Sequence, residues 1–216
     1  MSRVLITGAS RGLGKYLLNY LSEFYDVIGI SKGGTEGTIR CDVTDECQVR
    51  EFFSKQKKFD VLINNAGIVS NKSFKDSNVD DWRSVLDVNV IGMLNVTKHA
   101  LNSMQKGDRV INISSVASKN YSKTANVSYT ASKYAVNGLT KHLAAEYEGI
   151  YFNCICPSQM KTDMCKDINL EKIKNNNFLN DICDLKDVAD VVKFLIEDTS
   201  KFINSQLIFL DGGQKC

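Results

Sequence analysis

The sequence predicts an α/β fold in which a doubly wound parallel sheet of about seven strands carries helices on both faces. Short apolar runs alternate with helical patterns along almost the whole chain. The first strand leads into a glycine-rich turn and then a helix, and several later strands end in small or polar residues. No repeat or linker breaks this alternation, so residues 1–216 are expected to form a single domain.

The expected strands are apolar runs bounded by turn residues. They are Arg3–Thr7, Asp26–Ile30, Ile39–Val43, Asp60–Ile63, Arg109–Ile113, Tyr151–Ile155 and Leu207–Leu210. Helical spacing of apolar residues fills most gaps between them, and either Thr44 or Asp45 caps the helix that buries Phe52. The connection from Lys32 to Arg40 differs, because it is rich in glycine and has no helical pattern. The chain there either crosses the sheet edge in a tight loop or forms a poor third strand.

Composition excludes several classes of protein. The 216 residues carry a net charge of +2 and are 43% hydrophobic, so neither disorder nor a nucleic-acid or membrane partner is expected. No apolar run is long enough to span a bilayer, and Met1-Ser2 leads straight into a strand rather than a targeting segment. The seven scattered cysteines and two histidines give no zinc spacing. Free thiols, a cytoplasmic location and no bound metal are therefore expected.

The first strand ends in a glycine-rich turn that suits a phosphate group. Its sequence is Thr7-Gly8-Ala9-Ser10-Arg11-Gly12-Leu13-Gly14. Glycine lets backbone amides approach a pyrophosphate at the positive end of the following helix. The spacing Gly-x-x-x-Gly-x-Gly differs from the commoner Gly-x-Gly-x-x-Gly, and an ordinary tight turn is the alternative. Three glycines so close together after the first strand favour a nucleotide.

The end of the second strand bears on which nucleotide is bound. An acidic residue there would bind a ribose 2′-hydroxyl and favour NAD. The chain has Ser31-Lys32 instead, so no carboxylate repels a 2′-phosphate, and Lys32 or Arg11 could pair with one. NADP(H) is therefore expected ahead of NAD(H), with a solvated lysine as the alternative interpretation. Asp42 could accept a hydrogen bond from an adenine amino group, or could serve as a loop or cap carboxylate.

Tyr129 and Lys133 stand four residues apart in a helical pattern near the middle of the chain. That spacing places both side chains on one face of the helix. A fixed ammonium nearby favours the phenolate and lowers the pKa of a tyrosine, so the phenol can move a proton to or from an oxygen. An isolated Tyr-x-x-x-Lys is more often a surface pair. The rest of the chain decides between the two interpretations.

Polar or small residues recur where the later strands end. Asn64-Asn65-Ala66-Gly67 follows the fourth strand, Ser114-Ser115 the fifth, and Pro157 the sixth. These positions fit the crevice in which open α/β sheets bind ligands. Asn89 lies within a long helix among apolar residues, where a buried amide must find partners for both of its groups. A packing asparagine bonded to the backbone is the alternative.

Together these residues resemble the short-chain dehydrogenase/reductase family over nearly the whole chain, and most of all its 3-oxoacyl-carrier-protein and carbonyl reductases. The motifs are Thr7-Gly8-x-x-x-Gly12-x-Gly14, Asn64-Asn65-Ala66-Gly67, Asn89, Ser115, Tyr129-x-x-x-Lys133 and Pro157–Thr162. The resemblance implies a Rossmann-like fold and four catalytic residues. Tyr129 is the general acid or base, and Lys133 lowers its pKa and holds the nicotinamide ribose. Ser115 binds the substrate oxygen, and Asn89 supports a water relay to Lys133.

The resemblance also implies a set of residues around the cofactor, in which Asp42 and Val43 meet the adenine and Met160 and Thr162 meet the carboxamide. The full set is Gly8, Ser10, Arg11, Gly12, Leu13, Gly14, Ser31, Lys32, Asp42, Val43, Asn65, Ala66, Gly67, Tyr129, Lys133, Pro157, Met160 and Thr162.

The expected function is NADP-dependent hydride transfer between nicotinamide and a carbonyl or secondary alcohol, with a small-molecule or carrier-linked substrate. A homodimer or homotetramer is expected through the helices that carry Asn89 and Tyr129. The chain departs from the family at Ser158, which replaces a glycine, in the missing helix between strands two and three, and in the polar segment Met164–Asp184. A sugar or another polar metabolite is therefore an alternative substrate, and a non-catalytic NADP-binding sensor or scaffold an alternative function.

Overall fold

The computed structural model describes residues 1–35, 37–120, 126–160, 171 and 174–214. They contain a seven-stranded parallel sheet in the order β3-β2-β1-β4-β5-β6-β7. The strands are β1 (Arg3–Thr7), β2 (Asp26–Ser31), β3 (Thr38–Arg40), β4 (Val61–Asn64), β5 (Arg109–Ile113), β6 (Tyr151–Pro157) and β7 (Leu207–Leu210). The fold class predicted from the sequence is confirmed.

Helices cover both faces of this sheet. They are α1 (Gly12–Leu21), α2 (Glu46–Ser54), α3 (Val79–Leu86), α4 (Met93–Leu101), α5 (Val127–Glu146) and α6 (Leu185–Ile196). A wider π-helical turn, Asp87–Gly92, joins α3 to α4 with helical backbone throughout. The sequence predicted this long helix but not its π turn.

Alternating side chains of the strands divide the core into two layers. Ile6 of β1 packs in one cluster with Leu17 of α1 and Val192 of α6. Its neighbour Leu5 packs on the opposite face, in a cluster with Phe52 of α2. Each side chain of this size contributes about 2 kcal/mol when it is fully buried. The sheet is thus fixed from both sides, which holds the carboxyl ends of its strands in place.

The start of α2 decides between the two caps that the sequence allowed. Asp45 is the cap, and its carboxylate accepts hydrogen bonds from the backbone N–H groups of Cys47 (3.0 Å) and Gln48 (3.1 Å). Two of the amides that a helix start leaves without partners are thereby satisfied. Asn78 and Asp184 begin α3 and α6 in the same way, each within a capping box.

The third strand is shorter than predicted. It ends at Arg40, so placing Cys41–Val43 in the strand was wrong. The Asp42 carboxylate accepts hydrogen bonds from the N–H (3.0 Å) and hydroxyl (2.8 Å) of Thr44, which turns the chain away from the sheet. Both alternatives for the connection therefore hold in part, because a tight loop leads from β2 to a very short β3.

Cys154 and Cys156 lie on one face of β6, as their spacing predicts. Both are free thiols, with sulfur atoms 3.9 Å apart. Within the part of the chain that the structure describes, no three His, Cys, Asp or Glu side chains are grouped as a metal site requires. No described helix combines the length and apolar character needed to cross a membrane.

Candidate active site

Tyr129 and Lys133 meet at the carboxyl edge of the sheet, on the first turns of α5. The Lys133 ammonium lies 5.6 Å from the centroid of the Tyr129 ring. It donates a hydrogen bond of 2.9 Å to the carbonyl oxygen of Ile113, the last residue of β5. Lys133 is 6% exposed, whereas Tyr129 is partly open to solvent. The pair therefore combines a fixed, buried cation with a phenol that a ligand can reach.

Burial lowers the pKa of Lys133 from 10.5 to about 8. The ammonium is removed from water, and among the described residues it makes one hydrogen bond, so its lost hydration is only partly replaced. The thiols of Cys154 and Cys156 act in the opposite direction but with less effect. The lysine keeps its charge near neutral pH, at a cost to the fold, and this is typical of a functional group.

Asn89 lies in the π-helical turn and is 3% exposed. Its carbonyl oxygen accepts a hydrogen bond from the N–H of Ile68 (2.8 Å). Its amide donates to the Ile68 carbonyl (3.0 Å) and to the hydroxyl of Ser132 (3.0 Å). A Cβ on Gly67 would lie 3.4 Å from the Asn89 oxygen and 3.8 Å from the Lys133 nitrogen. Asn89 is therefore bonded to backbone, as the alternative interpretation held, and also lies near Lys133.

Serines tie the end of β5 to α5. Ser115 caps a short helical turn, Val116–Ser118, by accepting a hydrogen bond from the N–H of Ala117 (3.2 Å). No described residue accepts the proton of the Ser115 hydroxyl, which leaves it able to donate to a substrate oxygen. Ser114 donates to the Lys133 carbonyl (3.1 Å). The hydroxyl of Ser132, which Asn89 also contacts, donates to the Tyr129 carbonyl (2.7 Å).

A buried chain of hydrogen-bonded polar side chains connects α4 to α5 through the adjacent strands β4 and β5. Asn64 of β4 donates hydrogen bonds of 2.9 Å to Thr97 of α4 and to Asn112 of β5. Asn112 in turn donates to Thr140 of α5 (2.9 Å). All four residues are at least 95% buried. We name them the polar bracket: Thr97, Asn64, Asn112 and Thr140.

The glycine turn fits a pyrophosphate at the start of α1. A Cβ on Gly14 would lie 2.3 Å from the Gly8 carbonyl oxygen, and one on Gly8 would lie 2.7 Å from the Ala66 Cα. Side chains at either position would clash with the backbone of the turn or with the end of β4, so the close packing of the turn requires glycine. No side chain caps the first turn of α1, and no acidic residue lies in it. Its amides are therefore available to an anion.

Asn65 fixes this turn to the end of β4. Its amide donates to the carbonyl oxygens of Thr7 (3.0 Å) and Gly8 (3.2 Å). The Thr7 hydroxyl accepts hydrogen bonds from the N–H groups of Asn65 (3.0 Å) and Ala66 (2.9 Å). The two motifs that the sequence placed at separate strand ends thus form one structure.

The residues expected to contact adenosine at the end of β2 form hydrogen bonds and an ion pair with other residues of the chain. The Ser31 hydroxyl bonds with that of Thr38 (2.8 Å) and accepts from the Gly34 N–H (3.2 Å). The Lys32 ammonium lies 2.8 Å from the Asp42 carboxylate. Burial raises the pKa of Asp42, but the hydrogen bonds from Lys32 and Thr44 outweigh it and hold that pKa below its usual range. The hydrogen bond to Asp42 raises the pKa of Lys32.

The structure brings most of the remaining predicted residues to the same edge. Ser10, Arg11, Gly12 and Leu13 belong to the glycine turn and the start of α1. Val43 is buried against the π turn, where a Cβ on Gly92 would lie 2.6 Å from it. Pro157 ends β6, and Met160 forms an isolated bridge with Cys183. Thr162 and much of the polar segment lie outside the described residues.

A glycine turn and a Tyr–Lys pair at one edge of a doubly wound sheet define a class, the nucleotide-dependent oxidoreductases. A sequence profile described as enoyl-(acyl carrier protein) reductase matches residues 22–215. The 3-oxoacyl-[acyl-carrier-protein] reductase of Synechocystis sp. is 32% identical over 235 residues, which cover 97% of this chain and 95% of that protein. The chain belongs to the short-chain dehydrogenase/reductase family.

Solved structures of relatives agree with this assignment. A short-chain dehydrogenase from Burkholderia cenocepacia in complex with NADP is similar with a TM-score of 0.90 at 25% identity, covering 98% of this chain and 97% of that one. A 3-oxoacyl-[acyl-carrier protein] reductase from Brucella melitensis with bound NAD has a TM-score of 0.89 at 28% identity, covering 100% and 91%. The family binds NAD(P): the first of these two structures contains NADP and the second contains NAD.

Sequence reasoning missed the supports beneath the site. Ser132 and Ser114 donate hydrogen bonds to backbone carbonyls of α5, and the polar bracket joins α4 to α5. One signal was available, because Asn64 and Asn112 are amides at equivalent ends of adjacent apolar strands. Their partners on α4 and α5 could be found only from the fold.

Proposed function

We propose that this protein is an NADP-dependent reductase that transfers a hydride between nicotinamide and a carbonyl or secondary alcohol, with 3-oxoacyl thioesters as its substrate class. The observation that carries the proposal is the Tyr129–Lys133 pair, set at the edge where the glycine turn offers amides to a dinucleotide. Similarity to a 3-oxoacyl-[acyl-carrier-protein] reductase supports the substrate class and a carrier-linked form of it. The whole chain would act as one dinucleotide-binding domain.

The residues of the chain supply proton transfer and orientation. In reduction, the Tyr129 hydroxyl gives its proton to the substrate oxygen, and in oxidation its phenolate takes that proton back. The buried charge of Lys133 stabilises the phenolate. Ser115 donates a hydrogen bond to the same oxygen and so helps to polarise the carbonyl. Asn89, beside Lys133, would orient a water through which the proton is replenished.

The cofactor supplies the hydride, so the protein has to bind the cofactor and orient it correctly relative to the substrate. Gly8, Gly14 and the first amides of α1 would hold the pyrophosphate. Asn65 keeps that turn in place. The Asn89 oxygen and the Lys133 ammonium both lie close to the backbone at Gly67, within contact distance of a Cβ placed there.

A homodimer or homotetramer in the cytoplasm is part of the proposal. Apolar side chains are exposed on the helices that carry the site, among them Val79 (50%), Leu86 (36%) and Ile91 (47%). Val127 at the start of α5 is 49% exposed. A second copy would bury them. The free cysteines support a reducing compartment.

The test is the initial rate of NADPH and NADH oxidation over a panel of acetoacetyl thioesters, diketones, aldehydes, sugars and steroid ketones. Acetoacetyl thioesters with NADPH are expected to turn over fastest. Tyr129→Phe keeps the ring but removes the proton donor, so kcat is expected to fall by about 10²–10⁴-fold. Binding of NADPH, followed by its fluorescence, should not change.

Tyr147→Phe is the matched control, because Tyr147 is a phenol at the far end of the same helix. It should retain wild-type turnover. Substantial turnover by Tyr129→Phe contradicts the assigned proton donor. A sugar as the preferred substrate would replace the thioester class, and tight NADPH binding with no turnover on any carbonyl would favour a sensor or scaffold.

A further inference from the structure

The connection between β2 and β3 stands where a parallel crossover normally contains a helix. Its glycines keep it close to the sheet. A Cβ on Gly34 would lie 2.7 Å from the Cβ of Arg40, and one on Gly37 would lie 3.9 Å from Leu18. Both glycines have left-handed backbone, with φ of +61° and +83°. The loop therefore packs beside the last residue of β3, and it leaves the Arg40 side chain exposed.

Arg40 lies on the face of the sheet that carries the glycine turn and α1. Ser31 and Arg40 are register partners in adjacent parallel strands, so both side chains point to the same face. Gly29 precedes Ser31 by two residues and shares that face, where a Cβ on it would meet Ala9 and Leu18. Two strand spacings of about 4.8 Å each separate β3 from β1. Arg40 thus flanks the adenosine side of the cofactor cradle.

Three cations stand at this edge, but they are not equivalent. Lys32 is engaged with Asp42 at 2.8 Å. Arg11 begins α1 and is exposed, and Arg40 ends β3 and is exposed. Among the described residues, no ion pair includes either arginine, so both guanidinium groups remain available to an anion.

We propose that Arg40, with Arg11, contacts the 2′-phosphate of NADP(H), whereas Lys32 acts chiefly by holding Asp42. The inference rests on the proposed function, because it concerns the cofactor of the same site. A guanidinium can offer two parallel N–H donors to a phosphate, which an ammonium cannot. The glycine loop that stands in place of a crossover helix packs beside Arg40 and leaves its side chain exposed at this edge, where it can meet the phosphate.

The test uses two probes that differ only in the 2′-phosphate, adenosine 2′,5′-bisphosphate and 5′-AMP, in calorimetric titrations of the full chain. The wild-type protein should bind the bisphosphate more tightly. Arg40→Gln should lower the affinity for the bisphosphate by about tenfold and the affinity for 5′-AMP by less than about twofold. The affinity of Arg40→Lys for the bisphosphate should lie between that of Arg40→Gln and that of the wild type. Lys32→Gln should lower this affinity less than Arg40→Gln does.

Lys201→Gln is the control for net charge, since Lys201 is exposed between α6 and β7, at the other edge of the sheet. It should leave both affinities unchanged. The proposal is overturned if Arg40→Gln lowers the affinity for both probes equally or for neither. It is also overturned if Lys32→Gln lowers the affinity for the bisphosphate more than Arg40→Gln does, or if the wild type binds both probes equally well. Because no substrate is present, failure here leaves the carbonyl panel intact as a separate test of the reductase assignment.

Discussion

The two ends of the proposed cofactor crevice, named the catalytic end and the adenosine end after their proposed roles, are built in different ways. Where β4, β5 and β6 end, side chains are buried and each backbone segment is held by several hydrogen bonds, as around Lys133, Asn89 and the polar bracket. Where β2 and β3 end, the chain is held by a glycine loop, by hydrogen bonds of Ser31 and Asp42 and by an ion pair whose lysine is 82% exposed. Proton transfer requires groups fixed to a fraction of an ångström, whereas the cofactor tail can be held by charge. The catalytic end should therefore respond strongly to small changes and the adenosine end weakly.

The largest effect is expected from Lys133→Met. It should lower kcat by roughly 10²-fold or more, because the phenolate of Tyr129 loses its stabilising charge. It should also stabilise the cofactor-free fold at pH 7 by about 2 kcal/mol, because a desolvated ammonium is replaced by an apolar chain of similar length. Chemical denaturation and initial rates measure the two effects.

The same variant has a pH signature. In the wild type the folded pKa of Lys133 is about 8 and the ordinary value is 10.5. Between those values the unfolded chain holds a proton that the folded chain has lost, so stability rises with pH by on the order of 3 kcal/mol. Lys133→Met should remove this rise, whereas Lys141→Met, an exposed lysine on the same helix, should keep it. A parallel rise in Lys133→Met contradicts the assignment.

A smaller loss is expected from Thr140→Val in the polar bracket. The substitution conserves shape but leaves the buried amide of Asn112 without its acceptor at 2.9 Å. An unsatisfied group of this kind costs about 1–3 kcal/mol in the free energy of unfolding. Urea denaturation measures it, with the exposed Thr199→Val as the control. Equal stability of the two variants would mean that the bracket is not a support.

The smallest effect is expected at the adenosine end, from Asp42→Asn. Lys32 is 82% exposed, so solvent screens its ion pair with Asp42. The thermal midpoint at pH 7 should fall by about 2 °C or less. Because the folded pKa of Asp42 is depressed, its contribution is present at neutral pH and is lost as pH falls through that pKa. A large fall in midpoint would show that the two ends are equally rigid.

The residues of the catalytic end were easier to place from the sequence than those of the adenosine end. Tyr129 and Lys133 obey helical spacing within one element, and local periodicity is readable from a single chain. The strands were located within a few residues for the same reason. Cys41–Val43 was misassigned because the Asp42–Thr44 turn depends on side-chain hydrogen bonds that an apolar run does not reveal. The pairing of Lys32 with Asp42 and the position of Arg40 required the register of β3.

The exposed edge at β3 also affects how molecules of this protein meet in solution. An edge strand offers unpaired backbone groups to any other chain, and a long apolar edge invites stacking into aggregates. Here the edge is limited to Thr38–Arg40, bears a guanidinium at its end and is preceded by glycines with left-handed backbone. Ile39, 44% exposed, is the apolar side chain on it. The short β3 with a charged residue at its end thus also offers little edge to which a foreign strand could add.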